Sequence, residues 1–321
     1  MLLNSMRYGK RGTVKIHFTI GFGNNLFQYC FGRLVAEING MKLNHPAIPE
    51  MGIEAQSYWR NPFLPTEIIG RRLGQKESIT INYAKWLKKS QKPRNYIVRG
   101  YFEDYRLYKP YLEKIRSWFP KVPKTNTKDV VIHLRLQNRI LRISRFPHPS
   151  EFIKAVKMFG DYDRVHIVTD AGKWDNYTIE DIEEIKERVI HKKGVRNWIN
   201  RMLGTGKKMP STKEVLEGIK ILVDGLQKLD PIIHLSNSPL IPGSPALRQD
   251  FIDHFNFIRS FDKILIHNST FGWWAAVLSE ASQVGVWGPW ERGNKNLGRT
   301  DYPGWFQWGD ASRTIEALRK L

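Results

Sequence analysis

The chain has 321 residues, 41% of them hydrophobic, and its 51 Lys and Arg residues against 31 Asp and Glu residues give a formal net charge of +20. This length and hydrophobic content exclude disorder across the whole chain and favour two domains of ordinary size. The charge favours anionic ligands such as nucleotide diphosphates, acidic glycans, anionic lipids or nucleic acids, without choosing among them.

The sequence predicts a protein of a reducing compartment. A single cysteine, Cys30, excludes an internal disulfide, so we expect a cytoplasmic protein. The apolar stretch at the N-terminus is too short for a signal peptide, and no window reaches the roughly 18 uninterrupted apolar residues of a membrane-spanning helix. Contact with the surface of an anionic membrane stays open because the chain is basic and has 11 Trp residues.

The first part of the chain alternates strand and helix patterns. Its segments predict, in order, a buried strand, a glycine turn, a helix, a further strand and an amphipathic helix: VKIHFTI (14–20), GFGNN (21–25), LFQYCFGRLVAEING (26–40), NYIVRGYF (95–102) and DYRLYKPYLEKIRSWF (104–119). Residues 45–94 are less regular. We therefore expect a first α/β domain over residues 1–122.

A second series follows the proline-bearing linker PKVPKTNTK (120–128). The predicted strands are VVIHLRL (130–136), RVHIVTD (164–170), PIIHLSN (231–237), KILIHNS (263–269) and QVGVWGP (283–289). One predicted helix begins near Pro149. The other predicted helices are TKEVLEGIKILVDGLQKL (212–229), ALRQDFIDHFNFIRS (246–260) and TFGWWAAVLSEA (270–281). Residues 123–321 thus predict a second α/β domain, whose last helix packs back on the first domain.

Helices that alternate with β-branched strands are typical of parallel, doubly wound sheets. Such sheets bind ligands at the carboxyl ends of their strands, where the strand order reverses. The predicted fold class is therefore α/β, with two Rossmann-like doubly wound domains that face each other across a cleft.

Two segments place glycine or arginine at the end of a strand. In GFGNNLFQY (21–29), Gly21 and Gly23 permit positive φ and close backbone approach, and the helix start could hold an anion. In VVIHLRLQNR (130–139), a buried strand ends in His133, Arg135 and Arg139, and arginine could bind a diphosphate with two parallel hydrogen bonds. The alternative is structural: a plain turn, a core histidine and solvated arginines.

A third segment, ILIHNSTFGWWAAVL (264–278), ends a strand at His267 and Asn268, and Ser269 and Thr270 cap the next helix. The free amides of that cap favour a phosphate or a sugar hydroxyl. The structural alternative is an ordinary cap followed by a core helix, in which the two tryptophans of the segment are core residues.

These segments together resemble the α-1,2-fucosyltransferases (glycosyltransferase family 11). GFGNNLFQY is similar to their G-x-G-N-Q-x-F-Q-Y signature, GYFEDYRLYKPYLEKIRSWF to their G-Y-F-Q block, and HIVTDAGKW to F-S-D-D-x-x-W. DFIDHFNFIRSFDKILIHNSTFGWWAAVL is similar to D-x-x-x-M-x-x-C-x-x-x-I-x-x-N-S-S-F-S-W-W-A-A-W-L. The resemblance covers roughly residues 14–290 and keeps the order and spacing of the blocks.

The resemblance implies a GT-B architecture and inverting, metal-independent transfer from a GDP-sugar, with no other cofactor. Arg135 and Asp170 would be the catalytic residues. The donor-binding residues carried over by position are His133, Arg135, Asp250, Asn268, Ser269, Thr270 and Phe271, and the residues facing the cleft from the first domain are Gly21, Gly23 and Asn24. The partners implied are a nucleotide-sugar donor and a glycan acceptor, either an oligosaccharide or a lipid-linked one.

One segment departs from the family pattern. Where the family has H-x-R-R-x-D, this chain has Leu136 and Asn138 in place of the second arginine and the aspartate. Another nucleotide sugar is therefore an alternative donor. A positive charge from the following loop, at Arg139, Arg142 or Arg145, could replace the missing arginine.

The expected chemistry is a single displacement in which an acceptor hydroxyl attacks the anomeric carbon as the diphosphate leaves. Arg135 and helix-start amides would stabilise the leaving charge, and no carboxylate pair indicates a divalent metal. Asp170, Glu103 and Asp104 are candidate general bases.

Two other interpretations stay open. The basic segment HKKGVRNWINRMLGTGKKM (191–209) either rests on an anionic membrane or is a solvated loop. The chain could also be a non-catalytic sugar-binding protein or a basic nucleic-acid-binding protein, although no helix-turn-helix, zinc or RNA-binding signature supports the latter, and we expect no nucleic-acid partner.

Overall fold

The computed structural model describes residues 11–19, 21–70, 87, 92–189, 209–236, 247–267, 269–288, 302–310 and 312–319. The chain divides into two compact units. The first consists of Met1–Val122, Thr270–Leu278 and Asn294–Tyr302, and the second of Pro123–Ser269, Ser279–Gly293 and Pro303–Leu321. Each unit is built on a parallel sheet with helices, which confirms the predicted α/β class.

The first unit has a four-stranded parallel sheet. Its strands are β1 (Thr13–Ile16), β2 (Lys42–Asn44), β3 (Thr66–Ile69) and β4 (Asn95–Val98), in the spatial order β2-β1-β4-β3. The sequence did not predict β2 and β3. They have only three and four residues, and each has one buried side chain, so they leave almost no periodic signal.

Helix α1 (Phe22–Asn39) follows β1 and begins four residues before the predicted start. Gly21 precedes it at φ 106°, and Gly40 ends it in the left-handed conformation at φ 62°, where a glycine is favoured.

The predicted helix over residues 104–119 is broken in the structure. It consists of two 3-10 turns, Tyr105–Leu107 and Lys109–Tyr111, and a short α-helix α2 (Leu112–Arg116). Pro110 lies between the first turn and α2, and its missing amide hydrogen removes one of the bonds that a continuous helix needs.

The second unit has a six-stranded parallel sheet in the order β10-β9-β8-β5-β6-β7. The strands are β5 (Asn126–Leu134), β6 (Val165–Thr169), β7 (Ile232–His234), β8 (Phe261–Ile266), β9 (Gln283–Trp287) and β10 (Trp305–Trp308). Five of them match predicted strands, and β10 was missed. Strand β5 is central and its residues 130–134 are all buried, as expected for a strand covered on both faces.

The remaining helices are α3 (Pro149–Lys157), α4 (residues 179–189), α5 (Thr212–Leu226), α6 (Leu247–Arg259), α7 (Thr270–Ser279) and α8 (Ile315–Arg319). Helix α5 begins with a capping box in which Ser211 and Glu214 satisfy each other's backbone amides. A 3-10 segment, Gln137–Arg145, connects β5 to α3.

The contacts of two helices bear on the division into units. The last described helix, α8, belongs to the second unit and packs there on α5 and on the 3-10 segment, and its packing against the first domain stays a prediction. Residues 270–278 of α7 belong instead to the first unit. Their tryptophans explain this, because Trp273 and Trp274 are fully buried and stack with Phe27 of α1 at ring distances of 5.1 and 4.9 Å. Both are core residues, as the sequence predicted.

Candidate functional site

The sheet of the second unit reverses its strand order between β5 and β8. From β5 the chain moves outward through β6 to β7, returns to the other side of β5 at β8, and then moves outward through β9 to β10. Ligands of doubly wound sheets bind outside the carboxyl ends of the strands at such a reversal. The carboxyl ends of β5 and β8 are therefore where a site is expected in this unit.

At the end of β5, Asp170 contacts two neighbouring residues of the chain. Its Oδ1 accepts a hydrogen bond from the amide of Leu136 at 2.7 Å, and its Oδ2 lies 3.6 Å from Nε of Arg135. The side chain of Arg135 is 40% exposed. Asp170 follows β6, so one carboxylate fixes the backbone after β5 and sets the direction of a solvent-accessible guanidinium.

Two histidines lie buried at the same edge of the sheet. His133 is the penultimate residue of β5, His267 follows β8, and the amide of His267 donates to the carbonyl of His133 at 3.4 Å. Burial, with Arg135 next, lowers the pKa of His133 to about 3. Burial, with Arg139 next, lowers the pKa of His267 to about 3 as well. Both imidazoles are thus neutral at physiological pH.

Arg139 is the arginine of the following loop that faces these histidines. It is partly buried and acts electrostatically on both His133 and His267. Arg142 and Arg145, the other two candidates, are exposed. The segment has a compact 3-10 geometry, in which the amide of Arg139 donates to the carbonyl of Leu136 at 2.7 Å.

The segment's departure from the H-x-R-R-x-D pattern also has a structural explanation. Leu136 is 3% exposed and belongs to the hydrophobic core of the second unit. A charged side chain would be costly at this buried position. The side chain of Asn138 lies outside the described residues, and the aspartate that contacts this loop is Asp170.

A second group of predicted residues comes together within the first unit. The hydroxyl of Thr270 donates to Oδ1 of Asn24 at 3.2 Å, and the rings of Phe271 and Phe22 are 6.2 Å apart. A Cβ atom on Gly23 would lie 2.6 Å from the amide nitrogen of Phe271. The first turns of α1 and α7 therefore pack backbone against backbone.

Thr270 and Phe271 were predicted to bind the donor together with residues of the carboxyl-terminal domain, and that role stays a prediction. The two residues are part of the first unit, whereas His133, Arg135, Asp170 and the fully buried Ser269 are part of the second. Gly21 has the positive φ that the sequence predicted, and Gly23 provides close approach within a regular helix.

Gln28 belongs to the segment GFGNNLFQY but was not among the predicted site residues, and the structure gives it a positioning role. It is fully buried, its Oε1 accepts the amide of Thr19 at 3.0 Å, and its Nε2 donates to the carbonyl of Gly100 at 2.6 Å. These two partners follow β1 and β4. Gln28 therefore ties together the loops at the carboxyl ends of the central strands of the first sheet.

The candidate bases have different surroundings. Asp104 caps the 3-10 turn that follows it and pairs with Arg106 through both of its oxygens, at 2.8 and 2.9 Å. Asp170 is engaged with Leu136 and Arg135. Glu103 is half-buried and directly follows Phe102, which has a left-handed φ of 52°. Asn268 and the side chain of Asp250 lie outside the described residues.

In the part of the chain that the structure describes, no group of three or more His, Cys, Asp or Glu side chains is arranged to bind a metal ion. None of the helices described there is long and apolar enough to cross a bilayer.

No protein-family model matches the chain, and no curated protein matches its sequence. Among solved structures, the chain is similar to that of a mutant of FUT1 from Arabidopsis thaliana in complex with GDP. The similarity has a TM-score of 0.44 and a sequence identity of 10%, and it covers 87% of this chain and 70% of that one.

Proposed function

We propose that this chain is an inverting, metal-independent glycosyltransferase that moves fucose from GDP-fucose to a hydroxyl of a glycan, in an α-1,2 linkage. The observation that carries the proposal is the group formed by Arg135, Arg139, His133 and His267 at the strand-order reversal of the second sheet. The sequence blocks that resemble the α-1,2-fucosyltransferases give the sugar and the linkage.

The proposed site suits a diphosphate because its charge is positive and its histidines stay neutral. Arg135 is accessible and oriented by Asp170, so its planar guanidinium can bind two phosphate oxygens. Arg139 supplies the second positive charge that the family pattern has at position 136. His133 and His267 add hydrogen-bonding groups without adding a proton that titrates near neutral pH.

The proposed reaction is one displacement. The acceptor oxygen forms a bond to the anomeric carbon while the bond from that carbon to the diphosphate oxygen breaks, and the nucleoside diphosphate leaves with the electron pair. Arg135 and Arg139 would stabilise the negative charge that grows on the leaving group. Such preorganised cations perform the role that a divalent metal has in other transferases.

The proton of the acceptor hydroxyl goes to a carboxylate in this mechanism. Asp104 fits this role poorly because both of its oxygens are paired with Arg106. Asp170 orients Arg135 with one oxygen and accepts the amide of Leu136 with the other. Glu103 stays a candidate beside these two carboxylates, and we propose that the first unit binds the acceptor glycan.

A different donor is the second candidate. The buried Leu136 removes one arginine of the family pattern from the position where it would meet the donor, so a nucleotide sugar other than GDP-fucose is a specific alternative. A sugar-binding protein without turnover is the remaining alternative for the same site. A cytoplasmic location stays a prediction. Membrane contact through residues 191–209 also stays a prediction, since 191–208 lie outside the described residues.

A thermal-shift screen across GDP-, UDP-, CMP- and dTDP-sugars tests the proposal. GDP-fucose should raise the melting temperature, because a ligand that binds only the native state stabilises it. Hydrolysis of GDP-fucose in the presence of EDTA then separates a transferase from a binding protein. No shift with GDP-fucose alongside a shift with another nucleotide sugar would transfer the proposal to that donor, and no shift with any of them would reject it.

A further inference from the structure

An ordered loop, residues 58–64, is fixed to strands of the first sheet. The side-chain amide of Asn95, the first residue of β4, donates to the carbonyls of Asn61 and Leu64 at 2.7 and 3.0 Å. Asn95 is buried, and its Oδ1 accepts the hydroxyl of Thr13, the first residue of β1, at 3.1 Å. A buried and fully engaged amide thus fixes the backbone of this loop.

The loop is fixed a second time a few residues earlier. The side-chain amide of Asn44 donates to the carbonyl of Tyr58 at 2.9 Å, and the amide of Tyr58 donates back to Oδ1 of Asn44. The ammonium of Lys42 lies 5.0 Å from the centre of the Tyr58 ring. Residues 58–64 are therefore held at both ends by strands of the same sheet.

Two large rings project from this fixed backbone into solvent. Trp59 is 68% exposed and Phe63 is 89% exposed. Single exposed hydrophobic side chains are normal on a soluble protein, but two aromatic rings four positions apart on one anchored loop form a patch. Because the anchors fix the backbone, the loop cannot collapse to bury them without breaking buried hydrogen bonds.

The loop and the neighbouring strand ends also carry positive charge. Arg11, Lys42, Arg60 and Lys92 are exposed, and all four lie on the loop or beside the amino ends of β1, β2 and β4. Glu67, near the start of β3, is paired with Arg94 at 3.0 Å. We call these two rings and four cations the amino-end surface. The charge of this surface is positive, as is the net charge of the whole chain, which is +20.

The position of the amino-end surface argues against a substrate site. Ligands of parallel α/β sheets bind at the carboxyl ends of the strands, whereas the Asn95 and Thr13 anchor of this loop lies at the amino ends of β4 and β1. Projecting aromatic side chains with cations nearby suit a partner that has an anionic surface and an apolar layer beneath it. The lipid headgroup region of an anionic bilayer has this combination.

We propose that the amino-end surface attaches the protein to an anionic phospholipid bilayer. Trp59 and Phe63 enter the headgroup region, and the four cations contact anionic lipid around them. The attachment is independent of the proposed sugar transfer, and it assigns membrane contact to residues other than 191–209. A failure of the transferase proposal therefore leaves it standing.

Vesicle sedimentation tests the proposal. The protein should bind vesicles of phosphatidylcholine with phosphatidylserine, and added salt should weaken the binding. The double variant W59A/F63A should bind about tenfold more weakly because it loses apolar burial. The double variant R60Q/K92Q should bind about thirtyfold more weakly, since each cation near the membrane surface contributes about fivefold to the affinity. The matched control M158A/I179A removes side chains that are 57% and 60% exposed in the second unit and should bind like the parent.

A fluorescent probe locates the contact directly. Cys30 is fully buried, and burial raises the pKa of its thiol, so F63C supplies the reactive thiol for a polarity-sensitive dye. On anionic vesicles the emission should shift to the blue at position 63 and stay unchanged for a dye at M158C.

Three results would overturn the proposal. The parent protein fails to bind anionic vesicles, or it binds them while a dye at position 63 keeps its aqueous emission, in which case another segment such as 191–209 makes the contact. In the third case, sedimentation velocity shows a dimer that W59A/F63A dissociates, and the surface is then an interface between copies of the chain.

Discussion

Asp170 accepts the backbone amide of Leu136 at 2.7 Å with one oxygen and faces the guanidinium of Arg135 with the other. One carboxylate after β6 thus fixes both the path of the chain after β5 and the orientation of a candidate catalytic cation. The two functions can be separated by substitution, because an asparagine keeps an acceptor for the amide but has no charge.

Asp170→Ala should lower the free energy of unfolding by about 1 to 3 kcal/mol, because it leaves the Leu136 amide without its acceptor. Asp170→Asn should lower it by clearly less. Chemical denaturation of both variants measures the difference, with Asp175→Ala at an exposed position as the control. Equal losses for the two variants would show that the charge, and not the hydrogen bond to Leu136, is the stabilising contact.

Arg135→Ala and Arg139→Ala should each lower kcat by roughly 10²-fold if they stabilise the leaving diphosphate. Arg142→Ala is the matched control, since this arginine belongs to the same 3-10 segment but is exposed. Steady-state transfer from the donor found in the screen gives the three rates. Unchanged turnover in Arg135→Ala would refute its assignment.

Gly23→Ala should destabilise the protein by about 1 to 3 kcal/mol, the usual range for overpacking. The added Cβ would lie 2.6 Å from backbone atoms of Thr270 and Phe271, so either α1 or α7 must move. Thermal denaturation measures the effect. At Gly172 the nearest atom to an added Cβ is 3.8 Å away, so Gly172→Ala should be close to neutral. Equal stability of the two variants would contradict the packing described for the starts of α1 and α7.

Gln28→Leu should cost about 2 to 4 kcal/mol, because it removes the partner of the Thr19 amide and of the Gly100 carbonyl in a buried position. It should also weaken donor or acceptor binding through the loops after β1 and β4. Gln56→Leu, at an exposed side chain, provides the control. Comparing unfolding free energies with KM separates the two effects, and a variant as stable as the control would show that the loops do not depend on Gln28.

Stability should fall as the pH drops below about 6.5, the ordinary pKa of histidine. Burial lowers the pKa of His133 and His267 to about 3, so between these values the unfolded chain binds protons that the folded chain does not. Above about pH 6.5 this contribution is complete and constant.

His267→Phe should make the slope shallower by about 1.4 kcal/mol per pH unit, the value for one proton. Its neighbours are the rings of Phe146 and Trp287, which accept an aromatic replacement. Unfolding free energies measured from about pH 7 to about pH 5 test this. Parallel curves for parent and variant would show that His267 binds its proton equally in both states.

Most long elements were predictable from the sequence because they have strong periodic patterns and distinct ends. The buried run of β5 and the Gly40 end of α1 are local features, and the structure has both of them. The short strands β2, β3 and β10 were missed because three or four residues hold no period. Pro110 signalled the break before α2, but the amphipathic pattern of residues 104–119 concealed it.

The sequence by itself determined the α/β alternation, the strand-end positions of His133, Arg135 and His267, and the core role of the two tryptophans, since these depend on patterns within a few residues. Only the tertiary structure decided that Arg139 and not Arg142 faces the histidines, that Asp170 contacts Leu136, and that α7 packs on α1 in the first unit. The physical reason is that these contacts join residues distant in the chain. Sheet order and side-chain packing place them, and neither leaves a local signal.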